Sequence, residues 1–215
     1  MKNIAQNYEK IRQELPNNVT LVGATKDKSA SQIREAINAG LENIGENYVQ
    51  EALEKYDELG EDAKHIKWHF IGHLQRNKVK KVVPVFDLIQ SLDSEELAEE
   101  INKRAIQLNK KMQCLVEVNI AQEESKFGIA PNELNTFIEN LRKFENIELL
   151  GIMIMEPYSE DPETARPYFK KAKALFDSVP EFSILSMGMS TAYKIAIEEG
   201  STMVRIGSGL FGRRE

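Results

Sequence analysis

The chain has 215 residues and a net charge of −6, from 34 acidic and 28 basic side chains. That is length enough for one sizeable core, with no global positive field to hold nucleic acid. A hydrophobic share of 41% beside 29% charged residues excludes a disordered chain. Met1-Lys2-Asn3-Ile4 lacks the apolar run of a signal peptide, no stretch is apolar enough to span a bilayer, and the single Cys114 lies in an apolar run. The expectation is a core thiol in a cytoplasmic protein, away from membranes.

In chain order, Ile4, Tyr8, Ile11 and Leu15 stand at helical spacing and Pro16 ends the run, predicting a helix over Asn3–Leu15. Val19–Thr25 reads as a buried strand, and Lys26 follows where the next turn begins. Ile33, Ala36 and Ile37 mark a short helix with Gly40 at its end. Asn43–Gly45 is a second strand, and a helix from Asn47 to about Leu59 follows it. Ile66–Ile71 is a third strand, Gln75–Val83 a helix and Phe86–Leu92 a fourth strand. Leu97, Ile101, Ala105 and Leu108 stripe a helix over Ser94–Lys110, capped by Asp93 or Ser94. Gln113–Ile120 is strand five, and Pro131 opens the next helix. Leu149–Met155 is strand six. The helix ending near Ser178 starts at Pro162 or Pro167. Phe182–Met187 is strand seven, Thr191–Glu198 a helix and Met203–Ile206 strand eight.

Eight strands alternating with eight helices, counting the N-terminal one, predict an α/β fold. The expected form is a single (β/α)8 TIM-type barrel over residues 1–215 with an extra N-terminal helix. A doubly wound open sheet is the alternative, and no glycine-rich dinucleotide fingerprint follows strand one.

In a barrel the C-terminal strand ends converge on one mouth, where chemistry is found. They carry Lys26, Glu46 with Asn47, His69 with His73, Asn119, Met153, Ser186 to Ser190, and Arg205 to Gly209. A lysine at a strand end is most often a solvated flank. Closure, however, sets strand eight beside strand one, so Arg205 is expected next to Lys26, where a cation disfavours protonation of the amine. The turns Ser186-Met187-Gly188-Met189-Ser190 and Gly207-Ser208-Gly209 offer backbone amides to a phosphate, with a helix expected to start at Thr191. An amine, a phosphate cradle and an arginine suit either a Schiff-base aldolase or pyridoxal phosphate (PLP). An aldolase would place the lysine on a middle strand with carboxylates nearby as acid and base; Lys26 on strand one, with arginine as neighbour, favours PLP.

The other polar residues read more plainly. His65, His69 and His73 recur every four residues, but on a strand that spacing builds no metal face. Glu117 could line the barrel mouth or pair with a lysine in the interior, and pairing is the expectation. The cluster Arg76, Lys78, Lys80, Lys81 reads as a solvated helix face. Tyr48 and Tyr193 lie near strand ends without an evident partner.

Several motifs resemble the pyridoxal phosphate homeostasis proteins: the Lys26 strand, IGENYVQE from Ile44, WHFIGHLQRNK from Trp68, SKFGI from Ser125, LSMGMS from Leu185, and GSTMVRIGSGLFGRR from Gly200 to Arg214. The resemblance covers nearly the whole chain. It implies a barrel like the N-terminal domain of alanine racemase, with PLP as an internal aldimine on Lys26. It further implies Arg205 near the pyridine nitrogen, Ser190, Gly207 and Ser208 at the phosphate with Met189 beside them, and Asn47, His69, Met153 and Ser186 around the ring. Where the family usually has an acidic residue two positions past the serine, this chain has Ala192. An arginine at the ring nitrogen makes a poor electron sink. Only Leu210 to Glu215 follow the last turn, without the all-β domain and partner tyrosine of alanine racemases. The expected role is therefore a PLP carrier in cofactor homeostasis, monomeric and in transient contact with PLP-dependent apo-enzymes. A PLP-dependent amino-acid racemase is the alternative.

Overall fold

The computed structural model describes residues 3–123 and 125–212; Arg213 and Arg214 of the last motif lie outside them. The strands are β1 (Thr20–Ala24), β2 (Asn43–Glu46), β3 (Lys67–Phe70), β4 (Leu88–Leu92), β5 (Met112–Val118), β6 (Ile147–Ile154), β7 (Ile184–Met189) and β8 (Met203–Ile206). They form a closed barrel in sequence order. Every neighbouring pair is parallel, with β8 returning to β1 so that Arg205 lies opposite Val22.

The described α-helices are α1 (Ile4–Glu14), α2 (Ala30–Asn38), α3 (Val49–Leu59), α4 (Val79–Val82), α5 (Glu95–Gln107), α6 (Leu134–Leu141), α7 (Arg166–Asp177), α8 (Tyr193–Glu198) and α9 (Ser208–Phe211). Local sequence sets their ends. Asn3 caps α1 through its side chain, and Ser29 and Gln32 close a capping box on α2. Ser94 caps α5 as expected, although α5 stops at Gln107, where Asn109 turns the chain with a positive φ. Both candidate starts of α7 are used: a 3₁₀ turn runs over Pro162–Ala165 and the α-helix takes over at Arg166. Gln75–Val83 is a 3₁₀ turn over Arg76–Lys78 joined to one α turn over Val79–Val82, anchored by the buried Val79, Val82 and Val83.

Alternation along the strands builds two apolar layers. Trp68, Phe70, Phe86, Ile101 and Phe169 fill the layer between strands and helices, and Cys114 is buried with them. Val22, Leu88, Leu115, Met153 and Met203 form a second cluster, inside the barrel. Among the described residues no helix is long and apolar enough to cross a membrane.

Candidate functional site

The turn after β1 is held by a buried ion cluster that the sequence does not announce. Lys55, on α3 and buried, donates to the carbonyl of Thr25 at 2.6 Å, to Glu46 Oε1 at 2.8 Å and to Glu51 Oε1 at 2.6 Å. Thr25 Oγ1 donates to the same Glu46 oxygen at 2.6 Å, and the Asp27 amide donates to Glu51 at 2.6 Å. Asp27 is thereby fixed at φ +60, a left-handed conformation uncommon for a non-glycine residue. Burial raises the Glu46 pKa, and Lys55 and Thr25 oppose that rise. On this frame Lys26 stands half-buried, its Nζ donating to the Tyr48 hydroxyl at 2.9 Å and lying 4.6 Å from the Tyr48 ring centre. Tyr48 therefore has a partner after all.

Lys26 opens into a cavity of about 660 Å³ whose lining also includes Asn47, Met155, Met189, Ser190, Arg205, Gly207 and Ser208. Two glycines permit its walls. A Cβ on Gly72 would sit 2.3 Å from the Asn47 carbonyl oxygen, and one on Gly188, at φ +95, would sit 2.5 Å from Ala196 Cβ. In the same cavity, Ser190 Oγ accepts the amides of Gly207 and Gly209, both at 3.2 Å, which leaves its proton for a ligand oxygen. The small-residue stretch is less of a turn than expected. β7 runs on to Met189, paired with Arg205 on β8, and α8 begins at Tyr193, so no helix starts at Thr191.

Arg205 and Lys26 share the cavity but not the contact predicted for them. Because Val22 is the register partner of Arg205, the guanidinium lies deeper, donating to Ser186 Oγ at 2.6 Å and to the Ile154 carbonyl at 2.7 Å. Burial lowers its pKa, while Glu156 and Glu117 counter that. His69, Met153 and Ser186 are likewise buried inside the barrel and are not among the residues lining the Lys26 cavity. Their inward position follows from strand alternation, which a reading of strand ends alone overlooks. Tyr193, too, has a partner: its hydroxyl donates to Glu14.

A second cavity, of about 590 Å³, adjoins the first and shares Asn47, Ile71 and Met155 with it. Glu117 lines it. The expected lysine partner is not there: its charged neighbours are Asp93 and Arg205, and its Oε2 has no hydrogen-bond partner. Burial and Asp93 push its pKa up to about 7 against the opposing effect of Arg205. His73 stacks on Phe127 at 3.7 Å and lies 3.4 Å from Asp93. Lys78 and Lys81 line the rim of this cavity, and with Arg76 and Lys80 they are exposed, as expected of a solvated face.

The whole chain, residues 1–215, matches the family described as alanine racemase, N-terminal domain. The pyridoxal phosphate homeostasis protein of Aquifex aeolicus strain VF5 is 46% identical, with 93% of this chain and 89% of that one covered. The chain belongs to the pyridoxal phosphate homeostasis protein family. Its Escherichia coli K12 relative of that name is 36% identical, covering 100% of this chain and 98% of the other. Among solved structures, PipY of Synechococcus elongatus PCC7942 with PLP bound has a TM-score of 0.89 at 33% identity, covering 97% of this chain and 100% of PipY. Alanine racemase of Clostridium difficile 630 has a TM-score of 0.80 at 18% identity, covering 100% of this chain and 57% of that enzyme. That second likeness is one of fold.

Proposed function

We propose that this protein holds pyridoxal 5′-phosphate covalently through Lys26 and takes part in intracellular PLP homeostasis as a carrier, without robust catalysis. The observation that carries the reading is one cavity lined both by the Lys26 amine and by the Ser190–Gly207 hydroxyl and amide group. The residues present fit the cofactor. The volume takes a small ring bearing a phosphate, Ile71 and Met155 give apolar faces, and the donor set suits an anion. Ser190, Gly207, Ser208 and Met189 would receive the phosphate, Lys26 the aldehyde, and Asn47 and Arg205 the ring.

When bound, PLP supplies an electrophilic aldehyde and a ring that withdraws electrons when its nitrogen is protonated. This chain supplies a guanidinium toward that nitrogen. Arg205 has only N–H donors, two of them already given to Ser186 and Ile154, so it offers the ring a hydrogen bond and no shareable proton. That favours holding the cofactor over carbanion chemistry. The proposed setting is the cytoplasm, with the protein monomeric and meeting PLP-dependent apo-enzymes transiently.

The test is the visible spectrum of the purified protein with PLP added, for wild type and Lys26→Ala. An absorption band in the wild type that is lost in the variant is expected; no band, or one unchanged by the substitution, overturns the assignment. PLP should bind more tightly than pyridoxal, and equal affinities would remove the phosphate cradle. Racemisation of a single-enantiomer amino acid at about one turnover per second or faster would place the protein among ordinary enzymes.

A further inference from the structure

A polar chain crosses the barrel interior beneath the cofactor cavity and ends at the opposite face. Arg205 donates to Ser186 Oγ at 2.6 Å, and Ser186 Oγ donates to Gln90 Oε1 at 2.6 Å. The Gln90 amide nitrogen then lies 2.9 Å from His69 Nδ1. All four side chains are buried. The direction of every proton follows from Arg205, which can only donate. Ser186 must spend its own proton on Gln90, so Gln90 presents its NH₂ group to His69. His69 Nδ1 accepts, and its proton sits on Nε2.

Among the described residues the one hydrogen bond of the His69 ring is at Nδ1, so its Nε2–H is left to the cavity that the ring lines, although His69 is only 4% exposed. This cavity of about 360 Å³ lies at the N-terminal end of the barrel, where Lys67, Asp87, Lys110 and Lys111 also converge. Three lysines against one aspartate leave an excess of positive charge. Lys67 pairs with Asp87 at 3.0 Å. Lys110 gives protons to the carbonyls of Val83 and Phe86 at 3.0 and 2.7 Å, with a third to spare. Lys111 is exposed and takes part in no ion pair among the described residues.

We propose that this cavity binds a small inorganic oxyanion, with the His69 Nε2–H at its floor and Lys110 and Lys111 at its wall, and that its occupancy is felt at Arg205 through Gln90 and Ser186. The coupling half rests on the proposed PLP site; the binding half does not. Burial holds the His69 pKa down to about 4, with Asp87 raising it and Lys67 lowering it. An anion accepting the Nε2–H makes Nδ1 a stronger acceptor for the Gln90 amide, and the pull passes through Gln90 to the Ser186 hydroxyl that Arg205 holds.

Imidazole ¹H–¹⁵N spectra of the full chain, with and without PLP, test the site during a sodium sulfate titration, with sodium chloride at matched ionic strength as control. The His69 signal is identified by its loss in His69→Gln, which keeps an acceptor for Gln90. A saturable His69 shift at about millimolar sulfate is expected, weakened at least about threefold by Lys111→Ser, whose surface position spares folding. In the PLP-loaded protein the visible band should move with the same half-point and stay still in His69→Gln. An unsaturated shift, one equal in chloride, or one indifferent to Lys111→Ser overturns the site. A saturable shift with an unmoved band overturns the coupling. A protein with no PLP band loses the proposed function, while the His69 titration still reads the anion.

Discussion

Glu117 shows how a single buried side chain can make a site respond to pH. Its pKa stands near 7 because burial disfavours the anion and Asp93 adds to that. A carboxyl raised in the folded state binds its proton more tightly there than in the unfolded chain. Its contribution to stability is fully present below the unfolded value of 4.5 and is lost as pH rises toward 7. A separation of about two and a half units corresponds to roughly 3 kcal/mol across that window. Glu117→Gln keeps the shape and removes the titration. The variant should be more stable than wild type at pH 8 by up to that amount, and the gap should close toward pH 5, as read from urea unfolding at the two pH values. Equal gaps at both would show that Glu117 ionises freely. The sequence marks Glu117 as a charge in a strand, but the partners of such a charge depend on which strands face it across the barrel.

At the scale of elements, most of the barrel was legible. Strand and helix alternation gave the closed fold, Asn3 and Ser94 gave helix starts, and Lys26 stood out as an amine at a strand end. What escaped reading was held by contacts distant in sequence. Gly188 and Met189 extend β7 past the expected end at Met187 because Met189 pairs with Arg205 on β8, against the turn-like composition of the stretch. The lysine that orders the Lys26 turn is Lys55. On α3 it sits four residues from Glu51, and such a pair reads as solvated surface until Glu46 is found beside it, fully buried. Removing one partner of a buried pair leaves an uncompensated charge and typically costs about 3–5 kcal/mol. Lys55→Met should lower stability by that order and loosen the Lys26 turn, so that PLP affinity falls with it. The double variant Lys55→Met with Glu46→Gln removes the stranded charge and should recover most of the stability. It should recover little of the affinity, because the Thr25 carbonyl and Glu51 still lose their common donor. Denaturant midpoints and PLP titrations separate the two effects, and full recovery of both would show that the cluster does not position the turn.

Across the whole molecule, the first helix and the last meet at the seam where β8 returns to β1. Ile4, Ile11 and Leu15 bury the inner face of α1. Tyr8 donates its hydroxyl to the Gly40 carbonyl at 2.6 Å, and Asn7 Nδ2 donates to the Leu210 carbonyl in α9 at 2.9 Å. Helix α9 begins at Ser208, directly after the Gly207 amide that bonds Ser190. The N-terminal helix thus reaches the proposed phosphate end of the Lys26 cavity although it lines none of it. Asn7→Ala removes one hydrogen bond, about 1 kcal/mol of stability on the usual scale, and leaves Lys26 and its clamp untouched. If α1 holds the Gly207–Ser208 turn in place, the variant should lose PLP affinity several-fold while pyridoxal affinity, which has no phosphate to seat, stays at its wild-type value. Titration of both compounds against both proteins decides it. An equal loss for the two would assign α1 to general stability, and no loss for either would mean that the turn keeps its geometry through Ser190 alone.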